Sequence, residues 1–193
     1  MSTTQPIRSL EELQQLKNFY YLQEPNPRNY TLITLGLNTA LRISDLLQLT
    51  WGDVYDFETQ KFRYHITVTE QKTGKENRIA LNQNAQQALL LYQKYFPAVS
   101  PQDYLFPGKG HADIPLSRSQ AFRIIKHASE RLHLDEHISC HSMRKTFGYH
   151  AWKCGTPPAV LMEIYNHSSF EITKRYLGIE QDERDEIYLK LEL

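Results

Sequence analysis

Between residues 53 and 81 the hydrophobic pattern changes period, and this limits the fold more than any other feature of the chain. On either side, apolar residues recur at helical spacing. Inside the window, residues 53–57, 62–69 and 77–81 are short runs rich in Val, Ile, Thr, Tyr and Phe, the composition of strands. Thr73-Gly74 marks a tight turn between the last two runs. The pattern predicts an α+β fold, mainly α, with a small three-stranded antiparallel sheet near its middle.

The flanking helices carry start and stop signals. Ser9-Leu10-Glu11-Glu12 has capping-box form and opens a helix of about ten residues. Pro25-Asn26-Pro27 breaks it. Residues 30–41 are apolar enough for a buried helix, and Ile43-Ser44-Asp45 caps another whose Leu46, Leu47 and Leu49 face inward. Helical spacing resumes at Asn84 and ends near Pro97. Residues 97–115 read as loop. Ser117 and Gln120 form a second capping box before a helix reaching about Leu132. A helix over 142–154 stops at Gly155, Thr156-Pro157 opens the next, and 170–177 is a short helix. An acidic amphipathic segment over 182–191 follows. With 193 residues, no repeat and no long linker, the chain is expected to form one domain over residues 1–193.

Charge needs its distribution before it says anything. The total is zero, 22 Lys and Arg against 22 Asp and Glu. Residues 61–78 hold five basic residues against two acidic, and 109–153 hold eight against four, with histidines besides. Acid gathers at the ends: seven against four basic in 1–60, and six against two in 180–193. A neutral chain can thus present a basic face, and a face is what neutralises phosphates. No apolar stretch approaches the roughly 18 residues of a membrane span. Two cysteines, Cys140 and Cys154, make no disulfide framework. The expected setting is cytoplasmic and nucleoid-associated.

Four separated features carry chemistry together. They are Arg42 in Ala40-Leu41-Arg42-Ile43-Ser44-Asp45, Lys72 in Gln71-Lys72-Thr73-Gly74-Lys75, the His141-Ser142-Met143-Arg144 run, and Asn166-His167 followed nine residues later by Tyr176. Singly each is ordinary: a surface arginine, a turn lysine, a helix-face pair, one of twelve tyrosines. In this order and spacing they resemble the catalytic domain of the tyrosine recombinases, the phage-integrase family. That family's pattern is Arg, Lys, His-x-x-Arg, His or Trp, Tyr. The resemblance runs from about Leu32 to Tyr176 and includes the 23-residue gap from Arg144 to His167. Three positions depart from the pattern without touching it. Asn166 stands where glycine is usual, Lys145 where a second histidine is common, and Ala80 where proline is usual.

The resemblance implies a site-specific recombinase or integrase that cuts and rejoins DNA through a 3′-phosphotyrosine on Tyr176, without metal or nucleotide cofactor. Such phosphoryl transfer is mostly positioning and charge stabilisation. Arg42 and Arg144 suit a clamp on the two non-bridging oxygens, since guanidinium offers paired donors and stays charged. A phenol ionises near pH ~10, so attack at neutral pH needs a base or a cationic setting. His141 is the candidate base, with His167 donating to the phosphate or aiding the proton shuttle. The resemblance gives the acid role to Lys72, with Lys75 competing. Asp45 orients Arg42 or caps its helix, and capping is the favoured reading. Lys75, Arg78, Arg118, Arg123, Lys126, Lys145, Lys174 and Arg175 are candidate phosphate contacts.

The expected partners are double-stranded DNA and other protomers, as a tetramer on DNA and a monomer when free. Ile187, Tyr188, Leu189, Leu191 and Leu193 line a greasy face on a tail, about residues 180–193, that docks on a neighbour or on its own domain. Family members usually add an N-terminal DNA-clamping domain. Only about 40 residues precede Arg42 and they belong to the catalytic domain, so the chain reads as a fragment or as a compact recombinase without that domain. Competing readings are a type IB topoisomerase-like enzyme, a DNA-binding module that no longer cuts, and a zinc site from Cys140, His141, His150 and Cys154.

Overall fold

The fold is a computed structural model that describes residues 4–96, 98–135 and 137–191. Helix α1 (Leu10–Asn18) starts where Ser9 accepts a hydrogen bond from the Glu12 amide, and a π-helical turn over Phe19–Gln23 continues it. Helix α2 (Pro27–Asn38) begins three residues earlier than its apolar run suggests. Asn26 caps it through the Asn29 amide and Pro27 occupies the first turn, where a missing N–H costs nothing. Leu32 and Leu35 enter one apolar cluster and Ile33 and Leu37 another, so α2 is apolar all round and sits between the two.

Two short helical turns follow, α3 (Ile43–Leu46) and α4 (Trp51–Val54). The expected first strand begins late because Thr50 and Asp53 form a capping box that holds residues 51–54 in a helical turn. Leu46, Leu47 and Leu49 are buried as expected. The strands are β1 (Tyr55–Asp56), β2 (Lys61–Phe62), β3 (His65–Thr69), β4 (Glu76–Ala80), β5 (Pro107–Gly108) and β6 (His111–Pro115). They pair as three separate two-stranded antiparallel ladders, β1–β2, β3–β4 and β5–β6. The single three-stranded sheet is corrected, because the run over 62–69 splits at Arg63 and Tyr64. Its first part pairs back to β1 and its second forward to β4, with Ile66 opposite Ile79. The segment expected to be loop, 97–115, contains the β5–β6 hairpin, turned at Gly110 with φ +82°.

The remaining elements are helices: α5 (Gln83–Gln93), α6 (Arg118–Arg131), α7 (Cys140–Lys153), α8 (Pro158–Tyr165), α9 (Phe170–Leu177) and α10 (Glu180–Lys190). Ser117 and Gln120 make the predicted box at α6. The start of α7 moves back to Cys140 because Ser139 and Ser142 cap one another. A third apolar cluster of Ala40, Tyr149, Tyr165, Leu177 and Ile179 joins α7, α8 and α9, with Tyr176 packed against it. Ile187, Tyr188, Leu189 and Leu191, on and just after α10, are exposed. Leu193 lies outside the described residues.

Gly148 sets how closely α8 and α9 approach α7. A Cβ there would lie 2.5 Å from both Tyr165 Oη and Leu177 Cδ2. Tyr165 cannot yield, since it is fully buried and its hydroxyl donates to the Arg144 carbonyl at 2.6 Å. Gly148→Ala is therefore expected to cost about 1–3 kcal/mol as overpacking. Urea denaturation should show a lower midpoint with an unchanged slope.

Candidate active site

Arg42 stands just before α3, with extended backbone (φ −67°, ψ 147°) that turns its side chain toward the β3–β4 hairpin. There its Nη1 lies 2.6 Å from Glu70 Oε2. The contact pairs opposite charges, and both hydrogen bonding and the charge of Arg42 act on the Glu70 carboxyl. Glu70 is almost wholly buried and also accepts from Thr73 Oγ1 at 2.8 Å and Asn77 Nδ2 at 3.1 Å. Burial pushes its carboxyl up, but Arg42, the Thr73 hydroxyl and the Arg144 charge outweigh that and hold it below the ordinary carboxylate range. Sequence reading missed Glu70, since an acid at a strand end is a commonplace of surfaces.

Asp45 does not cap its helix, and the favoured reading is corrected. Its Oδ1 accepts the Gln71 amide at 3.1 Å, which ties α3 to the hairpin turn that carries Lys72. A residue inside the first turn is in the wrong place to cap it, and the cap position belongs to Arg42. Among the described residues, the buried side-chain polar atoms without a hydrogen-bond partner are Thr34 Oγ1, Arg42 Nη1 and Asp45 Oδ2.

Arg144 lies in the first half of α7, buried, with Nη1 donating to the Ala40 carbonyl. Ala40 presents that carbonyl from a left-handed conformation, φ +54°, which is strained for a residue with a Cβ. The guanidinium lies 4.6 Å from the centre of the Tyr165 ring. Tyr176, on the penultimate position of α9, hydrogen-bonds with this group. Burial pushes its phenol up, and the charge and hydrogen bonding of Arg144, with Arg42 further off, pull it back only in part. Its ring lies 5.4 Å from both Tyr165 and His167.

His167 follows the C-cap of α8. Asn166 caps that helix in the left-handed region, φ +55°, which explains both the glycine usual there and why asparagine replaces it without loss. Burial lowers the His167 pKa, helped by Arg144, Arg42 and Lys72. Burial and the charges of Lys145, Arg144 and Arg42 likewise lower that of His141, on the first turn of α7. Both shifts favour the neutral imidazole. The ring that touches Tyr176 is that of His167.

Lys72 sits in the exposed hairpin turn, close enough for its charge to act on His167. Lys75 spans to Asn166, Nζ to Oδ1 at 2.5 Å, and lays the hairpin against the end of α8. The other basic candidates separate. Lys145 is buried, with Nζ on the Thr4 carbonyl at 2.7 Å and 5.3 Å from the centre of the Tyr176 ring. Its expected surface contact to phosphate is corrected, because the segment over residues 4–8 covers it. That segment also places Arg8 on the Gly178 carbonyl at 2.9 Å and near Asp182 at 3.4 Å, straight after Tyr176. Arg78 bonds His65 at 3.2 Å, Lys126 faces Glu130, Lys174 faces Glu171, and Arg175 faces Glu180. Arg118 and Arg123 are exposed on α6, and Lys126 on the same helix is half-buried.

The four zinc candidates do not form one site. His150 Nε2 pairs with the Ile7 carbonyl at 3.0 Å, and burial pushes the Cys140 thiol up to about 11. Among the described residues, no three His, Cys, Asp or Glu gather as metal ligands do. Among them, too, no helix is long and apolar enough to cross a membrane.

Comparison with known proteins gives the family and the fold. The model of the phage integrase family matches residues 9–183. The chain is 41% identical over 182 residues to the probable integrase/recombinase YoeC of Bacillus subtilis, covering 94% of this chain and 93% of that protein. It is 30% identical over 167 residues to the tyrosine recombinase XerD of Corynebacterium glutamicum, covering 83% of this chain and 51% of that one. Its fold matches the XerA recombinase with a TM-score of 0.77 at 20% identity, over all of this chain and 66% of the other. The match to the XerH site-specific recombinase bound to its difH substrate has a TM-score of 0.73 at 17% identity, over 99% of this chain and 53% of that one. The fold is thus that of tyrosine-recombinase catalytic domains, and the chain belongs to the phage integrase family.

Proposed function

We propose that this tyrosine recombinase cleaves and rejoins double-stranded DNA at specific sites through a phosphotyrosine on Tyr176, with residues 1–193 acting as one catalytic unit. The observation that carries the reading is the meeting of the Tyr176 phenol with the Arg144 guanidinium inside one chain, beside His167 and within the field of Arg42. Arg42 and Arg144 clamp the scissile phosphate, and Arg42 exchanges its contact with Glu70 for the incoming anion. Preorganised donors at a site that excludes water stabilise developing charge better than water does. Tyr176 attacks phosphorus, the P–O5′ bond breaks, and Lys72 on its hairpin supplies the proton to the departing oxygen. His141 and His167 handle the phenolic proton. Rejoining is the reverse, with a 5′-hydroxyl as nucleophile, and requires no nucleotide.

Lys75, Arg78, Arg118, Arg123, Lys126, Lys174 and Arg175 contact DNA phosphates, several by exchanging an intramolecular partner for the backbone. The assembly is a tetramer on DNA and a monomer when free, and the exposed apolar residues of α10 dock on a neighbouring protomer. The protein works on the nucleoid. The test is a nicked suicide duplex from which the cut fragment diffuses away. A protein–DNA adduct resistant to denaturant should accumulate, and peptide mapping should place it on Tyr176. Binding of that duplex without an adduct, or an adduct on another residue, overturns the proposal.

A further inference from the structure

Residues 4–8 run beside the site and have no part in the chemistry so far. Their backbone is fastened to one face of α7. Ile7 donates its amide to Thr146 Oγ1 at 2.9 Å, and its carbonyl accepts from His150 Nε2 at 3.0 Å, one helical turn further on. The Ile7 side chain is buried in the second apolar cluster with Phe19, Ile33 and Met143. Both ends of the segment then bear on the surroundings of Tyr176. At one end the Thr4 carbonyl accepts from Lys145 Nζ at 2.7 Å, and that ammonium lies 5.3 Å from the centre of the Tyr176 ring. At the other end Arg8 Nη2 donates to the Gly178 carbonyl at 2.9 Å and lies 3.4 Å from Asp182 Oδ2.

Gly178 is where Arg8 has leverage. Helix α9 ends at Leu177, directly after Tyr176, and Gly178 closes it in the left-handed region, φ +73°. The amides of Gly178 and Ile179 both bond back to the Lys174 carbonyl, at 2.8 and 3.2 Å. Only these two residues separate α9 from α10. A cation suits the junction, because the carbonyl end of α9 is negative and Asp182 stands in the first turn of α10. The guanidinium also lies 5.4 Å from the centre of the Tyr149 ring, so it is held between α7 and the turn. Gln5 lies against the same turn, since a Cβ on Gly178 would be 3.4 Å from its Oε1.

We propose that residues 4–8 form a strap that seats the nucleophile, with Arg8 as the positioning residue that ties the turn after Tyr176 to α7. The inference rests on the reading of this site as a tyrosine-recombinase centre and deepens it. Attack on phosphorus tolerates little error, since the reacting atoms must stand about 3–3.5 Å apart and in line. Tyr176 is carried near the end of an eight-residue helix, and a loose helix end would let its phenol swing. By holding the Gly178 carbonyl, Arg8 fixes the backbone two residues beyond the phenol. By holding Lys145, Thr4 fixes a cation beside the ring. Arg8 acts on the phenol only through the backbone of α9 and contacts no phosphate in this role.

The experiment compares wild type, Arg8→Ala and Arg8→Lys by amide hydrogen exchange of the free protein and by single-turnover cleavage of the nicked duplex at saturating DNA. The Arg8 side chain is 40% exposed, so its truncation leaves a folded protein. Arg8→Ala should speed exchange at Gly178 and Ile179 while the amides of α7 stay as protected as before. It should slow cleavage by about tenfold to a hundredfold, the scale on which a misplaced reacting group costs rate. Arg8→Lys keeps the cation at the end of α9 and should recover most of both. Unchanged exchange at Gly178 and Ile179 overturns the proposal. Faster exchange with an unchanged rate shows a merely structural tie and overturns it too. A rate loss that disappears at saturating DNA would make Arg8 a phosphate contact, and faster cleavage would make the strap a brake; either result also overturns it. The exchange arm needs no activity, so absence of any adduct from wild type would count against the recombinase reading alone.

Discussion

Tyr176→Phe is expected to abolish the denaturant-resistant DNA adduct while leaving the fold almost unchanged. The phenylalanine ring keeps the contacts with Tyr165 and His167, each at 5.4 Å, and the Lys145 ammonium 5.3 Å from the ring centre. What disappears is one hydroxyl and its bond with Arg144. Net loss of one hydrogen bond costs about 1 kcal/mol, so urea unfolding should move little. Cleavage is another matter, because removing a covalent nucleophile costs on the order of 10⁶ in rate. The measurements should diverge completely: near-normal stability and DNA retention, no adduct. Adduct formation by the variant at even a few per cent of wild type would show that another group attacks phosphorus.

Glu70→Ala has the largest expected effect on stability. Glu70 is nearly inaccessible, Arg42 is only 20% exposed, and they meet at 2.6 Å. A buried pair adds little when intact, but removal of one partner leaves the other charge stranded at a cost of about 3–5 kcal/mol. The hairpin suffers too, since Thr73 and Asn77 lose their acceptor and the turn bearing Lys72 loosens. Adduct formation should fall with stability. Glu70→Gln removes the charge and keeps the shape, with one amide oxygen left to accept from either Thr73 or Asn77.

The pH dependence of this pair has a definite sign. The folded pKa of Glu70 is depressed below its unfolded value. The pair therefore stabilises the fold fully above the unfolded pKa, and that stability is lost as pH falls through the folded pKa. The window lies from about pH 4 downward. Chemical denaturation of wild type and Glu70→Gln should converge there, because acid does to the first what the substitution has done to the second. Parallel curves through that range would mean that Glu70 carries no such charge contact.

The parts of the fold that were legible rest on neighbours in sequence. Ser9, Ser117 and the glycines at 74 and 155 act on residues two to four positions away, and the helices they bound were found close to their observed limits. Where a local signal was passed over, the error was also local. Asn26-Pro27 starts α2 and Thr50 with Asp53 converts a strand start into a helical turn. The hairpin across Thr73-Gly74 was legible, but the split of the run before it was not. Nothing near Arg63 says that Phe62 pairs with Tyr55 while Ile66 pairs with Ile79, because a ladder is chosen by which apolar faces can share a core.

The site divides in the same way. Sequence alone determined the family and the identity of its six candidate catalytic residues, since phosphoryl transfer needs particular side-chain types in a particular order along one fold. Tertiary structure decided what each has beside it: Glu70 against Arg42, the Ala40 carbonyl on Arg144, Thr173 under His167, and the segment over residues 4–8 across Lys145. These contacts join residues 6 to 141 positions apart, and no periodicity encodes them. Electrostatic and hydrogen-bond environments are properties of packed space, so the chain names the candidate groups and only the fold sets their surroundings.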